Sequence, residues 1–289
     1  MNRPAGTPPD DVPASDGSAF LSLADAASRI VSTPDLDRKK AMAHQAAGLW
    51  FRRALSRTHT SRPDRDMPAR PGRPEKPELR APRDMPHRSA GGRRGRIALL
   101  HSLAHIELNA VDLTWDLVGR FAGEDLPRSF FDDWVKVGLE EAKHFGLLQR
   151  RLVDYESSYG ALPAHDGLWE ATQETAHSLL ARLAILPLVL EARGLDVTPP
   201  LIDKMRLAED HDSARVLEII YRDEKTHVAF GAKWFRFMCD RCKARAEPAF
   251  HELVRKHFRG PLKPPFNDRA RSQAGLTPGF YRPLMLTGP

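Results

Sequence analysis

The sequence predicts an all-α protein centred on a four-helix bundle, and three observations carry that prediction. Two near-matching blocks, Glu141-Ala142-Lys143-His144 and Glu224-Lys225-Thr226-His227, each follow a second acid, Glu140 or Asp223. A lone glutamate precedes each block at nearly the same interval: Glu107 is 34 residues before Glu141, and Glu191 is 33 before Glu224. Around all four sites apolar residues recur at three- and four-residue spacing, the period of a helix that buries one face.

On a helix, positions i and i+3 point the same way, so each block aims a carboxylate and an imidazole at one spot. The order Glu, Glu-x-x-His, long gap, Glu, Glu-x-x-His is that of ferritin-like di-iron or di-manganese carboxylate bundles. The expected fold is therefore a ferritin-like four-helix bundle with an N-terminal helical extension, a Pro-rich strap and a C-terminal tail.

Composition bounds the alternatives. With 289 residues, 41% of them hydrophobic, the chain can bury a sizeable core. It has no run of eighteen apolar residues, and MNRPAGTPPDDVPASDG carries neither an apolar signal core nor an Arg-rich amphipathic helix, so a cytoplasmic protein without a membrane span is expected. Two cysteines, Cys239 and Cys242, exclude a disulfide scaffold and a four-cysteine metal site; they read as reduced thiols or, less simply, as a redox pair or part of a metal site. A net charge of +6 and a pI near 9.5 suit an acidic partner.

Residues 1–17 are rich in Pro, Gly, Asp and Ser and read as a disordered tail. Residues 18–56 read as a helical extension of two helices separated near Pro34. Residues 57–96 change character: prolines recur from Pro63 to Pro86 among many arginines, which rules out a helix or a central strand. This segment is a solvated linker, a strap lying on the bundle or a nucleic-acid-binding arm; no aromatic residue is interleaved with its arginines, so the stacking signature of single-strand binders is missing.

The bundle is expected over residues 97–246. The first helix, from Ile97 to Phe121, places Glu107 as the one carboxylate in a stripe with Leu100, Leu103, Ala104, Ala110 and Val111. A buried, unpaired carboxylate needs a cation or a proton. His105 lies off that stripe and reads as structural. The second helix starts at Ser129, with Asp132 completing a variant of the capping box, and buries Trp134, Val137, Glu141, His144, Phe145 and Leu148. Glu107 and Glu141 fall at matching distances from the intervening turn, about 20 Å at 1.5 Å per residue.

A third helix is expected from Asp166 to Glu191, kinked by Pro187 and stopped at Gly194. Thr198-Pro199-Pro200 looks like the start of a short helix within a segment that returns along the bundle. The last bundle helix, from about Asp212 to Ala246, buries Leu217, Ile220, Glu224, His227, Val228, Gly231 and Phe235. Residues 247–289 form a further helix and a Pro-rich tail. A third Glu-x-x-His, Glu174 to His177, has no counterpart at the repeat interval and is set aside as a look-alike.

Four carboxylates and two imidazoles suit two Fe or Mn ions, with hard oxygen donors and one histidine for each metal. The candidate ligands are Glu107, Glu141, His144, Glu191, Glu224 and His227. Glu141 and Glu224 are the bridging candidates, and Glu140 and Asp223 are expected to hold histidines or arginines from behind.

The segments AHIELNAVDLTWDL, LPRSFFDDWVKVGLEEAKHFGLL, LPAHDGLWEATQETAHSLLARLAILPLVLEARGLDVTP, IYRDEKTHVAFGAKWF and HFRGPLKPPFN resemble the bacterial domain-of-unknown-function family 455. That resemblance covers most of the chain. It implies a ferritin-like fold, places the PGRPEKPELRAPRDMP strap with the folded domain, and makes tRNA hydroxylases, rubrerythrins and ferritins superfamily relatives. It implies no particular activity.

The function expected from these readings is an O2-dependent di-iron or di-manganese oxidoreductase, a hydroxylase or oxidase. Its partners are an external electron donor and a small-molecule or RNA substrate. The alternatives are ferroxidase or peroxide scavenging, and a metal-stabilised interaction protein without turnover.

Overall fold

The computed structural model describes residues 19–59, 66–81, 84–85 and 92–285. The expected disorder of residues 1–17 lies outside these. Among the described residues every regular element is helical; the only strand-like contacts are isolated bridges, Leu79 with Ala164 and Leu262 with Met285. No helix among them is long and apolar enough to cross a membrane.

The elements are α1 (Leu23–Ser32), α2 (Leu36–Phe51), α3 (Gly92–Arg120), α4 (Arg128–Asp154), α5 (Gly167–Gln173), α6 (Leu179–Ile185), a π-helical turn (Leu186–Glu191), α7 (Ala192–Leu207), α8 (His211–Arg241), α9 (Ala246–His257), α10 (Asp268–Gln273) and α11 (Pro278–Tyr281). The long helices form a bundle of two hairpins, α3 with α4 and α7 with α8, joined face to face where α4 meets α8. The α1/α2 pair covers the first hairpin, while α9 and α10 lie on the second.

Local capping fixes several of these ends. Ser22 and Asp35 accept from the backbone N–H three residues on and open α1 and α2, as small polar N-caps do. The expected capping box at the start of α4 does not form: the N-cap is Pro127, and Asp132 instead accepts from Trp50 Nε1 at 2.8 Å. Helix α3 begins five residues before Ile97, despite Gly92 and Gly95. Arg93 reaches the Tyr155 carbonyl at the end of α4, and Arg96 bonds the Tyr155 hydroxyl at 2.8 Å, so pairing across the hairpin outweighs the poor helix propensity of glycine.

The third rod differs most from expectation. Residues 174–178 form turns rather than helix, and Ser178 caps a new helix by accepting from the Ala181 N–H. Helix then continues from Leu179 to Leu207 through Gly194 and both Pro199 and Pro200, so there is no returning segment. Pro187, which has no N–H to give to Leu183, sits in the π turn, where the Ala192 N–H bonds back five residues to the Pro187 carbonyl. Pro199 leaves the Leu195 carbonyl without its helical donor. The Asn267 side-chain amide supplies one, at 3.3 Å, so the C-terminal tail mends the helix that proline interrupts.

Buried ion pairs tie the layers together. Lys39 of α2 pairs with Asp112 of α3, with both side chains fully shielded, and donates to the carbonyls of Val31 and Gly72. Arg73 reaches the other Asp112 oxygen at 3.0 Å. With Trp169 Nε1 donating to the Ala69 carbonyl and Ala164 N–H to that of Glu78, these contacts hold residues 66–81 against the bundle as a strap. Arg182 of α6 pairs with Asp116 of α3, and both side chains are 0% exposed.

Asp116→Ala leaves the Arg182 guanidinium buried without its counter-charge. It is expected to lower stability by about 3–5 kcal/mol, read as the shift in a urea unfolding curve. A change within about 0.5 kcal/mol would mean that the pair does not hold the third rod to α3.

Candidate metal centre

Each member of the candidate site enters from the middle of a long helix. Glu107 lies 13 residues before the end of α3 and Glu141 lies 13 after the start of α4. The second hairpin repeats this levelling: Glu191 is 16 residues before the end of α7 and Glu224 is 13 after the start of α8. At 1.5 Å per residue, all four reach about the same height in the bundle.

Ligand atoms of Glu107, Glu141, His144 and Glu224 all lie within 4.8 Å of one another, and all four residues are buried. His144 Nδ1 is 3.3 Å from Glu107 Oε2 and 3.5 Å from Glu141 Oε2. His227 Nδ1 is 2.9 Å from Glu141 Oε1 and 3.6 Å from Glu224 Oε1. Glu141 thus stands between the two imidazoles, one oxygen towards each. Glu191 joins through the cavity that it lines together with Glu107 and Glu224.

Behind the cluster the bracing is crosswise. His144 Nε2 donates to Asp223 at 3.1 Å, and His227 Nε2 donates to Glu140 at 3.0 Å. Each histidine is held by the acid that precedes the other block, which locks α4 to α8. Asp223 also accepts from Lys143 and Arg222. With one proton committed to Nε2, each ring turns its Nδ1 into the cluster, where it can hold a second proton or, once that proton is displaced, offer its lone pair to a cation.

The donor set fits a cation. Glu107 Oε2, both oxygens of Glu141 and of Glu191, Glu224 Oε2, His144 Nδ1 and His227 Nδ1 are all shielded from solvent and have no hydrogen-bond partner among the described residues. An orphaned buried polar group costs roughly 1–3 kcal/mol, and more when charged. So many orphans aimed at one place are accounted for by positive charge among them.

Protons supply that charge when no metal does. Burial, reinforced by the charge on Glu141, pushes the Glu107 carboxyl up to about 8. Burial and neighbouring carboxylates raise Glu191 and Glu224 as well. Burial alone would lower His144, but its contacts with Asp223, Glu107 and Glu141 outweigh this and hold it up at about 11. His227 is raised in the same way, and between the two imidazoles Glu141 stays well below the usual carboxylate range although burial opposes this.

Packing sets the direction of Glu191. The π turn that ends on it lies against Gly231 of α8, where a Cβ would come within 2.4 Å of the Pro187 side chain. Only a residue without a side chain lets α8 approach this closely. The widened turn is a feature that often marks functional positions.

The remaining sequence candidates fall elsewhere. Glu174 and His177 lie in the turns after α5, beside Lys256 and His257 in a separate surface hollow, and play no part in the cluster. His105 is structural: its ring nitrogens meet the Tyr159 hydroxyl at 2.8 Å and the His165 carbonyl at 2.9 Å, and burial brings it down to about 4. Cys239 is buried and Cys242 exposed, both free.

Sequence reasoning did not find the cavity of about 640 Å³ beside the cluster. Leu103, Ile106, Val189, Leu190 and Ile220 form part of its wall, and residues Phe258 to Lys263 lie across it. The nearest signal in the sequence was Pro187, since a kink one turn before Glu191 is a place where a bundle can open room.

The class defined by this fold and site is a helical bundle with a buried glutamate and histidine cluster able to hold a metal ion. The chain belongs to the family described as Protein of unknown function (DUF455), whose model matches residues 32–282. It is similar to an uncharacterised protein of Haemophilus influenzae, with 43% identity over 209 residues that cover 71% of this chain and 73% of the relative. No solved structure matches the chain.

Two outcomes follow from the bracing and the protonation. Because a cation must displace protons held by His144, His227 and Glu107, metal loading should release protons, and apparent affinity should rise with pH through about 8, where Glu107 gives up its proton, and on towards about 11, where His144 does; a pH-independent affinity would contradict the displacement. Asp223→Asn should weaken metal binding by about 10–100-fold with the fold intact, as checked by competition with a chelator.

Proposed function

We propose that this chain is a ferritin-like di-iron or di-manganese carboxylate protein acting as an O2-dependent oxidoreductase on an organic substrate. The observation that carries the reading is the convergence of unpartnered atoms from Glu107, Glu141, His144, Glu191, Glu224 and His227 at one level of the bundle. Four carboxylates carry the charge that two divalent cations would balance, and the mixed oxygen and nitrogen donors suit Fe or Mn better than Mg or Ca.

When bound, such a pair of metals supplies two-electron redox chemistry with dioxygen. The chain's own residues do the rest. Glu141, placed between the two histidines, is the candidate to bridge, with Glu224 beside it. Glu107 and Glu191 would complete the carboxylates that hold the metals. Asp223 and Glu140 keep the imidazoles in the tautomer that offers Nδ1. The apolar wall excludes bulk water and admits a substrate next to three of the carboxylates.

As a hydroxylation, the overall reaction inserts one oxygen atom of O2 into a C–H bond and releases the other as water. Two electrons from an external donor and two protons complete the balance. The cavity favours this reading over ferroxidase or peroxide-scavenging activity, since neither iron nor peroxide needs an apolar chamber of about 640 Å³.

Anaerobic loading should leave close to two equivalents of Fe or Mn per chain; no retained metal would remove the reading. Glu141→Ala and His227→Ala should abolish metal retention while His177→Ala leaves it intact, as measured by elemental analysis. Reduced, Fe-loaded protein should consume O2; consumption that requires only Fe(II) in excess and deposits ferric iron would favour ferroxidase activity.

A further inference from the structure

We propose that the cavity beside the carboxylate cluster binds a single-chain amphiphile with one anionic head group. Its apolar chain would lie along the α3 and π-turn wall and its head at the cations of the segment Phe258–Phe266. As a substrate assignment this rests on the oxidoreductase reading; as a binding site it does not.

The cavity has two chemically distinct parts. Its wall is apolar, with Leu103, Ile106, Val189, Leu190 and Ile220 offering no side-chain donor or acceptor. Its size lies within the roughly 300–1,000 Å³ of small-molecule sites. A nucleobase or sugar would lose its hydrogen bonds against such a wall, whereas a hydrocarbon chain loses only contact with water.

The segment Phe258–Phe266 extends the apolar lining with Phe258, Pro261, Leu262 and Phe266 and adds positive charge to it. Arg259 and Lys263 line the cavity, are exposed, and pair with no acid among the described residues. Arg193 and Arg271 also line it, but Asp196 already engages both. Even so, Arg271, only 2% exposed, keeps an Nη1 with no acceptor. Unspent positive charge at one side and apolar wall at the other define an amphiphile with a negative head. With the unspent cations on the Phe258–Phe266 segment, the head is held there, and the chain rather than the head is the part that meets the cluster.

The cover is held in place and not merely draped. Arg193 donates to the carbonyls of Lys263 at 2.8 Å and Pro265 at 3.0 Å. The Leu262 N–H bonds the Leu284 carbonyl at 3.0 Å, and the Asn267 N–H bonds Asp196 at 2.9 Å. Arg259 and Lys263 are therefore presented from a fixed segment, which keeps the entropic cost of binding low.

The test is calorimetric titration of the full-length protein, metal-free and Fe(II)- or Mn(II)-loaded without oxygen, with dodecanoate, dodecyl phosphate and dodecanol below their aggregation limits. Both anions are expected to bind one per chain, and dodecanol about tenfold more weakly. A preference for dodecyl phosphate over dodecanoate, or the reverse, identifies the head group. Arg259→Gln combined with Lys263→Gln should weaken dodecanoate by about tenfold, leave dodecanol unchanged and leave the metal equivalents unchanged. Ile106→Asp, at a half-exposed wall position, should weaken the anions and dodecanol alike.

Equal binding of dodecanoate and dodecanol, or no binding of either to folded protein, overturns the proposal. Protein that takes metal but no dodecanoate overturns it while leaving the metal reading in place. Protein that binds dodecanoate with the stated preference but takes no metal supports the site and removes the metal reading.

Discussion

The structure depends on a cost written into the sequence: four glutamates and two histidines whose polar atoms are shielded from solvent at one level of an apolar bundle and left open towards each other. Desolvated carboxylates repel, and each orphaned atom lacks the water that it would have in the unfolded chain. The cluster can be buried only if positive charge enters it, as protons or as metal. Folding and protonation of the cluster are therefore coupled, and a metal ion held there would enter the same equilibrium.

Much of the surrounding architecture serves to hold that cluster still. The crossed contacts of His144 with Asp223 and His227 with Glu140 make α4 and α8 a single unit. On the far sides, Arg182 with Asp116 fixes the third rod to α3, and Lys39 and Arg73 with Asp112 fix the extension and the strap. These pairs are fully or nearly desolvated, so they fix relative position more than they add stability. The tail then completes the second hairpin by supplying the Leu195 carbonyl with the donor that Pro199 withholds.

The two halves of the bundle are alike in plan and unlike in detail. Both bring a lone glutamate and a Glu-x-x-His block to the same height. Among the described residues the π turn belongs to the second half, and the cavity that the cluster adjoins lies beside that turn. The close approach of Gly231 to Pro187 makes room for the widened turn, which places Glu191 at the cavity wall instead of within the tight group of four around Glu107 and Glu141. One side of the cluster is sealed by packing, and the other opens onto apolar space.

Most of the candidate site could be read from the sequence because its signals are local. A helical period, a Glu-x-x-His spacing and a carboxylate alone in an apolar stripe each concern residues within one or two turns, and the helix fixes which way they face. The same locality misled where neighbours far along the chain intervene. Pro199 and Pro200 read as a helix start, and Gly194 as a stop, because the tail residue that satisfies the interrupted helix lies some seventy positions later. Residues 174–178 read as helix because nothing local showed that Arg182 would turn back to Thr172 and Thr175. By itself the sequence determined which residues gather and that each sits on a helix. Which acid braces which histidine, how Glu191 is turned and what lies across the cavity were decided by tertiary structure, because each depends on how rigid helices are rotated and packed against one another.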